Sequence, residues 1–279
     1  MEKFCMGLNA QFGPALVDQI SMLKQAGFHG FFVKWERGMD IAPLYERAVQ
    51  EGMIFQSIHG PFLKADQLWQ ETDQTQDVLD EMIECLHVCH RFQVPVMVCH
   101  AYIGFGREYC PNAYGIKNFE KLIQAAQQLR IRIAFENTEG EEYLACLMDR
   151  FSSSEWVGFC WDTGHEMCYN RGRDMMASYG NRLMATHIND NLGISDPDGK
   201  IFWTDDLHLL PFDGIGNWKE IAGKLRKYHF SGPLTFELLK KSKPGRNEND
   251  VYDRMSTEAY FAAAYERAVR LYELIHNAE

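Results

Sequence analysis

Residues 132–165, RIAFENTEGEEYLACLMDRFSSSEWVGFCWDTGH, contain two short apolar runs on either side of an amphipathic segment. We predict strands at Arg132–Phe135 and Gly158–Trp161, because short apolar runs of this kind are typical of buried parallel strands. The apolar spacing of the residues between them predicts a helix over Glu142–Arg150. This part of the chain is therefore predicted to form a strand–helix–strand unit with parallel strands.

The same alternation of strands and helices extends over the rest of the chain. The other predicted strands are Phe4–Leu8, Gly30–Lys34, Ile54–Ile58, Pro95–Cys99, Met184–Ile188 and Leu234–Phe236. The other predicted helices are Pro14–Gln25, Ala42–Gln50, Gln76–Phe92, Asn118–Leu129, Asp174–Tyr179, Trp218–Tyr228 and Glu258–Asn277. Gly27 and Gly52 follow the first two helices, as C-terminal stops.

Eight strands that alternate with eight helices predict an α/β fold in which helices cover a parallel sheet. A closed (β/α)8 barrel needs this number of units, and its active site lies at the C-terminal ends of the strands. An open doubly wound sheet is the main alternative, but no G-x-G-x-x-G motif follows the first strand. Residues 191–216 are too polar for the core, and we predict a long loop there, which at that length tends to be functional.

The composition is that of an ordinary folded protein. The chain has 279 residues, of which 46% are hydrophobic and 24% are charged, and a (β/α)8 barrel of about 250 residues accounts for this length. We therefore expect residues 1–279 to form a single barrel domain. Eight cysteines without a CxxC pair favour reduced thiols and a cytoplasmic location. The longest apolar run, residues 94–105, is too short to cross a membrane.

Histidines and carboxylates lie at or just beyond many of the predicted strand ends. Strand ends converge on one rim of a (β/α)8 barrel, so residues far apart in the sequence become neighbours there. Imidazole nitrogen and carboxylate oxygen are ligands of divalent cations such as Zn²⁺ and Mn²⁺, so the pattern predicts a metal site. The residues concerned are His59, His100, Glu136, Asp162, His165, His187, Asp206, His208 and Glu237.

The motifs around these residues resemble those of the xylose isomerase-like barrel superfamily, which contains sugar isomerases and epimerases together with endonuclease IV-type apurinic endonucleases. The motifs are FENTEG at 135–140, WDTGH at 161–165, HIND at 187–190 and D-x-H at 206–208. In the epimerases four strand-end residues hold one divalent metal, which implies this role for Glu136, Asp162, His187 and Glu237. In the endonuclease nine positions hold three zinc ions, and the nine residues named above are of the right type.

The resemblance implies a divalent-metal-dependent isomerase or epimerase that acts on a sugar or sugar phosphate. Such enzymes move a carbon-bound proton next to a carbonyl, and the cation (Mn, Zn, Co or Mg) stabilises the enediolate. Glu136 and Glu237 are the predicted catalytic acid and base, in addition to their role as metal ligands. The candidates for further metal ligands or substrate contacts are His59, His100, His165, Asp206 and His208.

Other residues of the predicted upper loops are candidates for substrate contacts. An apolar wall against a sugar ring is predicted from Trp35, Phe62 and Trp203, with Phe12 and Phe105 as further candidates. The basic cluster Lys240, Lys241, Lys243 and Arg246 is either a contact for a substrate phosphate or carboxylate or a solvated charge run. Epimerases of the superfamily often carry an arginine six residues after the metal-binding histidine. The corresponding residue here is Gly193, so substrate contacts must differ.

Charge favours a small substrate over nucleic acid. The net charge is −11, from 28 basic and 39 acidic side chains, and a rim rich in carboxylates repels a phosphate backbone. We therefore predict a small sugar or polyol, phosphorylated or not, and no membrane partner. One alternative is an endonuclease IV-like zinc phosphodiesterase that acts on abasic DNA. Another is a barrel that keeps the metal ligands but requires a partner subunit, and a homo-oligomer is also compatible with the sequence.

Overall fold

The computed structural model describes residues 3–105 and 110–277. Eight parallel strands form one sheet in the order β7-β6-β5-β4-β3-β2-β1-β8. The strands are β1 Phe4–Gly7, β2 Gly30–Lys34, β3 Ile54–His59, β4 Val96–His100, β5 Arg132–Glu136, β6 Val157–Asp162, β7 Leu183–His187 and β8 Leu234–Phe236. β1 pairs with β8, and Ile188, just beyond β7, bridges Phe236. The sheet is thereby almost closed, and the predicted (β/α)8 barrel is confirmed.

The helices lie between successive strands, except α9 and α10, which follow β8. They are α1 Leu16–Ala26, α2 Ala42–Glu51, α3 Thr75–Arg91, α4 Ala113–Leu129, α5 Glu141–Arg150, α6 Thr163–Cys168, α7 Met175–Tyr179, α8 Trp218–Lys227, α9 Asp250–Asp253 and α10 Thr257–His276. Gly27 and Gly52 end the first two helices in left-handed conformations, as predicted. Within the described ranges, none of the helices is long and apolar enough to cross a membrane.

The structure differs from the prediction at several helices. Helices α6 and α9 were not predicted, because six and four residues are too few to show a helical period. α4 begins five residues earlier than predicted, where the Asn112 side chain accepts a hydrogen bond from the Gly115 N–H. All eight cysteines are free thiols, as expected.

The loop at 191–216 is present, but the expectation that it is too polar for the core was wrong for its second half. Residues 205–211 are all buried. Their carboxylates have cationic partners, since Arg246 lies 3.0 Å from Asp205 and Lys243 lies 2.9 Å from Asp206. Buried charge is tolerated when it is paired in this way.

The alternation of side chains along the strands sets the depth of the candidate site. A small cluster of buried residues, separate from the main hydrophobic core, consists of Val96, Val98, Ala134, Cys160 and Ala185. Successive side chains of a strand point to opposite faces. The residues two positions beyond Val98, Ala134, Cys160 and Ala185 therefore share their face of the sheet, and these are His100, Glu136, Asp162 and His187. The polar residues thus form the layer above a floor of mostly small side chains.

Candidate metal centre

Glu136, at the end of β5, is in contact with histidines from three other strands. Its Oε2 lies 2.9 Å from His100 Nε2 and 3.4 Å from His59 Nε2. Its Oε1 lies 2.5 Å from His187 Nδ1, and Glu237 Oε2 lies 3.0 Å from the same nitrogen. Glu136 is only 1% exposed. The imidazole of His187, on β7, therefore lies between the carboxylates of Glu136, at the end of β5, and Glu237, just after β8.

The nine predicted residues fall into three groups whose ligand atoms lie within 4.8 Å of one another. The four-residue group is Glu136, Asp162, His187 and Glu237, the second group is His59, His100 and Glu136, and the third group is His165, Asp206 and His208. Glu136 belongs to the first two groups and so joins them. The structure thus brings all nine residues, from strand ends and from the segments that follow them, into these three groups.

Cys160 also lies within reach of Glu136 and His187. Complete burial raises the pKa of this thiol well above its ordinary value, and the nearby carboxylates add to the effect. A thiol must lose its proton to bind a metal. We therefore interpret Cys160 as a packing residue.

Asp162 is held in place by the segment that follows it. Its Oδ1 accepts a hydrogen bond from the His165 backbone N–H at 2.7 Å and thereby caps α6. The Asn189 side-chain amide lies 3.1 Å from Oδ1 and 3.0 Å from Oδ2. Burial raises the pKa of Asp162 to about 6, even though His165 attracts the charged form. The carboxylate is therefore oriented before any ligand binds.

The third group lies beside the first two. Asp206 Oδ2 is 2.7 Å from His208 Nε2, and Asp206 Oδ1 is 3.5 Å from His165 Nε2. His208 has a backbone φ of +48°, and its Nδ1 lies 3.1 Å from the Glu237 carbonyl oxygen. This contact joins the long loop after β7 to the end of β8. Backbone in this region is uncommon for residues other than glycine, and it frequently occurs at functional sites.

The electrostatics of the four-residue group fit a divalent cation. Burial alone would lower the pKa of His187, but Glu136 and Glu237 outweigh it and raise the pKa to about 10. The proton on His187 thus balances part of the negative charge of Glu136 and Glu237, at the position where a cation would be bound. His187 Nε2 and His165 Nδ1 are buried without a hydrogen-bond partner in the described part of the chain. Nitrogen and oxygen donors in this arrangement are a suitable ligand set for Zn²⁺ or Mn²⁺.

Seven of the nine residues, all except Asp162 and His187, line a cavity of about 510 Å³ at the C-terminal rim of the barrel. One side of the cavity is apolar and is lined by Phe62, Leu63, Ile103, Phe105, Tyr169 and Trp203. Phe62, Trp203 and Phe105 therefore lie where the predicted wall requires them. Trp35 and Phe12 do not line the cavity: each is 2% exposed and packs in the main hydrophobic core. Local sequence does not show which way an aromatic residue in a loop turns.

Two charged residues that the sequence analysis did not single out also line this cavity. Lys34 Nζ lies 2.8 Å from Glu237 Oε1. Burial works to lower the pKa of Lys34, but the combined attraction of Glu237, Asp206 and Glu136 outweighs it and the pKa is raised. Glu139 is 3% exposed, accepts a hydrogen bond from the Gly104 N–H at 2.7 Å, and has a pKa raised by burial. A signal for Lys34 was present, since it is the last residue of a predicted strand.

The basic cluster after β8 divides between the cavity and the surface. Lys243 lines the cavity, whereas Arg246 forms ion pairs with Asp205 and Glu248. Lys241 is exposed. Gly193 has a φ of +77°, a conformation that strains residues with a side chain. An arginine at that position would be strained.

Residues 20–256 match the family model described as the xylose isomerase-like TIM barrel. The chain belongs to this family. The matched segment includes β2 through β8 and all nine residues of the three groups.

Proteins similar to this chain are found both by sequence and by fold. The uncharacterized protein y4fM of Sinorhizobium fredii is 31% identical over 168 residues, which are 58% of this chain and 48% of that protein. The match thus spans about half the length of that relative. The IOLI protein, whose structure has a bound zinc atom, superposes with a TM-score of 0.76 at 14% identity, over 99% of this chain and all of that one. D-allulose 3-epimerase from Methylomonas sp., solved in complex with D-allulose, gives 0.69 at 15% identity over 97% of this chain and 98% of that one.

Proposed function

We propose that this xylose isomerase-like protein is a divalent-metal-dependent isomerase or epimerase of a sugar or sugar phosphate. The observation that carries the proposal is the four-residue group, in which Glu136 and Glu237 contact the same nitrogen of His187 from two different strands. Likeness of fold to a D-allulose 3-epimerase and to a zinc-binding protein supports it. The reaction class is proton transfer at a carbon next to a carbonyl.

Each part of the site has a role in such a reaction. A divalent cation (Mn, Zn, Co or Mg) held by the four-residue group would polarise the carbonyl and stabilise the negative charge of an enediolate. Glu136 and Glu237 would remove and return the carbon-bound proton, since they come from the ends of two different strands, β5 and β8. His165, close to Asp206, is a donor for a substrate hydroxyl. The apolar side of the cavity packs against the substrate and reduces its contact with water.

Exchange of carbon-bound hydrogen tests the proposal directly. Protein loaded with Mn²⁺ or Zn²⁺ is incubated in D₂O with ketoses, aldoses and their phosphates, and the sugars are followed by proton NMR. We expect incorporation of deuterium at a carbon next to the carbonyl of one substrate, and loss of incorporation after treatment with EDTA. Absence of exchange on every sugar and sugar phosphate, with the metal bound, would contradict the proposal.

A second candidate is an endonuclease IV-like zinc phosphodiesterase that acts on abasic DNA. The observation in its favour is that the three ligand groups comprise all nine positions at which that enzyme holds zinc. The net charge of −11 disfavours a DNA backbone. Elemental analysis and an abasic-duplex cleavage assay separate the two functions. Three zinc ions per chain with cleavage would favour the nuclease, whereas one ion without cleavage would favour the isomerase.

Three features of the whole protein stay predictions. They are a single domain over residues 1–279, a cytoplasmic location and assembly as a homo-oligomer. Light scattering of the purified protein measures its oligomeric state.

A further inference from the structure

Two lysines reach the candidate metal centre from opposite ends of the chain. Lys34, at the end of β2, pairs with Glu237, and Lys243, in the segment after β8, lies 2.9 Å from Asp206 Oδ2. Both lysines line the same cavity. Their ammonium groups lie beside aromatic rings of the apolar side: Lys34 Nζ is 5.7 Å from the centre of Phe62, and Lys243 Nζ is 5.6 Å from that of Trp203.

The partners of these lysines are themselves candidate metal ligands. Glu237 belongs to the four-residue group and Asp206 to the third group. A carboxylate that binds a divalent cation shares its charge with that cation and is a weaker partner for an ammonium group. The two ion pairs therefore weaken when the centre is loaded, and both lysines become available for another anion in the cavity.

Lys34 also has unused hydrogen-bonding capacity. An ammonium group has three N–H donors. In the described ranges, Lys34 Nζ forms one ion pair, with Glu237. The Lys34 side chain keeps 40% of its exposure although it lies in the cavity. Since Lys34 lines the cavity, its remaining donors can serve a molecule that binds there.

The charge balance of the cavity leads to the same conclusion. The three ligand groups contain four carboxylates: Glu136, Asp162, Asp206 and Glu237. One divalent cation and the two ammonium groups neutralise them. Without the lysines, the three ligand groups loaded with one cation would keep two negative charges, and Glu139 lines the same cavity, so an anionic substrate would be repelled.

On the basis of the proposed function, we propose that the substrate is an anionic sugar, carrying a phosphate or a carboxylate, and that Lys34 and Lys243 bind its anionic group. This specifies a substrate class that the proposed function leaves open. Lys34 is the principal contact, because its side chain is more exposed than that of Lys243 (40% against 14%), and Lys243 is the second contact.

Binding of inorganic phosphate to the Mn²⁺-loaded protein tests this inference without relying on turnover. Calorimetry gives the dissociation constant for wild type, Lys34→Met, Lys243→Met and Lys34→Arg, with the metal content of each variant measured separately. We expect Lys34→Met to weaken phosphate binding roughly 10- to 100-fold, the effect of one charge-assisted hydrogen bond. Lys243→Met should weaken it to a smaller extent, and Lys34→Arg should retain most of the affinity because it keeps the charge.

Lys241→Met is the matched control. It removes an exposed lysine of the same basic cluster, and phosphate binding should stay within about twofold of wild type since the charge is outside the cavity. Equal phosphate affinity in wild type, Lys34→Met and Lys243→Met would overturn the inference. Tighter binding of D-fructose than of D-fructose 6-phosphate and 2-keto-D-gluconate by the wild type would also overturn it.

Two further comparisons identify the anion and separate this inference from the proposed function. Tighter binding of D-fructose 6-phosphate than of 2-keto-D-gluconate assigns a phosphate, the reverse order assigns a carboxylate, and both support an anionic substrate. Proton exchange on neutral sugars, with phosphate binding unaffected by the lysine variants, would refute the anion site alone. Lysine-dependent phosphate binding without exchange on any sugar would refute the isomerase alone.

Discussion

Glu136 is the carboxylate of the candidate metal centre that contacts the most histidines. It contacts His59, His100 and His187, and their attraction outweighs the effect of burial and holds its pKa well below the ordinary value. Glu136 is therefore ionised at neutral pH, as a metal ligand or a base must be. The pKa of His100, in contrast, is lowered by burial to about 4, which leaves this imidazole neutral and able to bind a cation.

Replacement of the two proposed acid/base residues is the first test at the residue scale. We expect Glu136→Gln and Glu237→Gln each to lower kcat/KM by about 10²- to 10⁴-fold, since an amide cannot accept the carbon-bound proton. Steady-state kinetics on the substrate identified by hydrogen exchange measure the loss. Glu142→Gln, on the exposed side of α5, is the control and should be unchanged. Near-normal rates in both variants would end the assignment.

Proton competition at His187 is the second test. In the metal-free protein His187 keeps its proton up to about pH 10, and the cation must displace that proton. Metal affinity should therefore rise about tenfold per pH unit between pH 7 and 9, where Asp162 is already ionised. Below about pH 6 Asp162 is protonated as well, and the dependence should become steeper. Calorimetric titration with Mn²⁺ in buffers of different ionisation enthalpy measures the proton release. A metal affinity that does not change with pH would contradict displacement of the His187 proton.

At the scale of elements, the strand ends carry the residues of the site. Positions in the helices differ in how well they accommodate a larger side chain. Gly223 lies in α8, and a Cβ there would meet only Arg226 Nη2, at 3.9 Å, among its described neighbours. Gly115 lies in the first turn of α4, and a Cβ there would lie 2.0 Å from Trp69 Cε3. The Trp69 indole cannot move freely, because its N–H donates to the Ala101 carbonyl at 2.7 Å.

These two helix glycines should respond in opposite directions to alanine. Gly223→Ala should raise the free energy of unfolding by about 0.5–1 kcal/mol, because alanine lowers the entropy of the unfolded chain and fits the helix. Gly115→Ala should lower it by about 1–3 kcal/mol through overpacking against Trp69. Urea denaturation of both variants checks the pair, and a change of the same sign in both would contradict the packing described here.

At the scale of the whole molecule, the candidate metal centre consists of residues from strands in most of the barrel. The four-residue group alone combines residues from β5, β6, β7 and the end of β8. A cation bound there holds these strands together and binds the folded state but not the unfolded chain. Bound metal should therefore stabilise the entire barrel rather than one loop.

Removal of the metal should consequently lower the melting temperature. At a free Mn²⁺ concentration of 100 times Kd, binding of the cation to the folded state raises the free energy of unfolding by about 2.7 kcal/mol. This corresponds to a rise in melting temperature of roughly 5 °C or more for a chain of this size. Differential scanning calorimetry with Mn²⁺ and with EDTA measures the shift. Asp162→Asn should lose most of the response to Mn²⁺, and an identical melting temperature in both conditions would show that the centre binds no cation.

The parts of the site that could be predicted are those at strand ends. His100, Glu136, Asp162 and His187 directly end or follow apolar runs, so the barrel geometry and the family motifs were enough to group them. Lys34 has the same kind of position, but a lysine at a strand end is also typical of a solvated terminus. Trp35 was misassigned, because the direction of a loop side chain depends on contacts far away in the sequence.

Local periodicity in the amino-acid sequence determined the order of the strands and helices, and with it the (β/α)8 barrel, because short-range patterning governs which backbone conformations bury apolar area. Pairings between distant side chains were decided only by the tertiary structure. Lys34 reaches Glu237 because β1 pairs with both β2 and β8. Such contacts depend on closure of the sheet, which no local stretch of residues encodes.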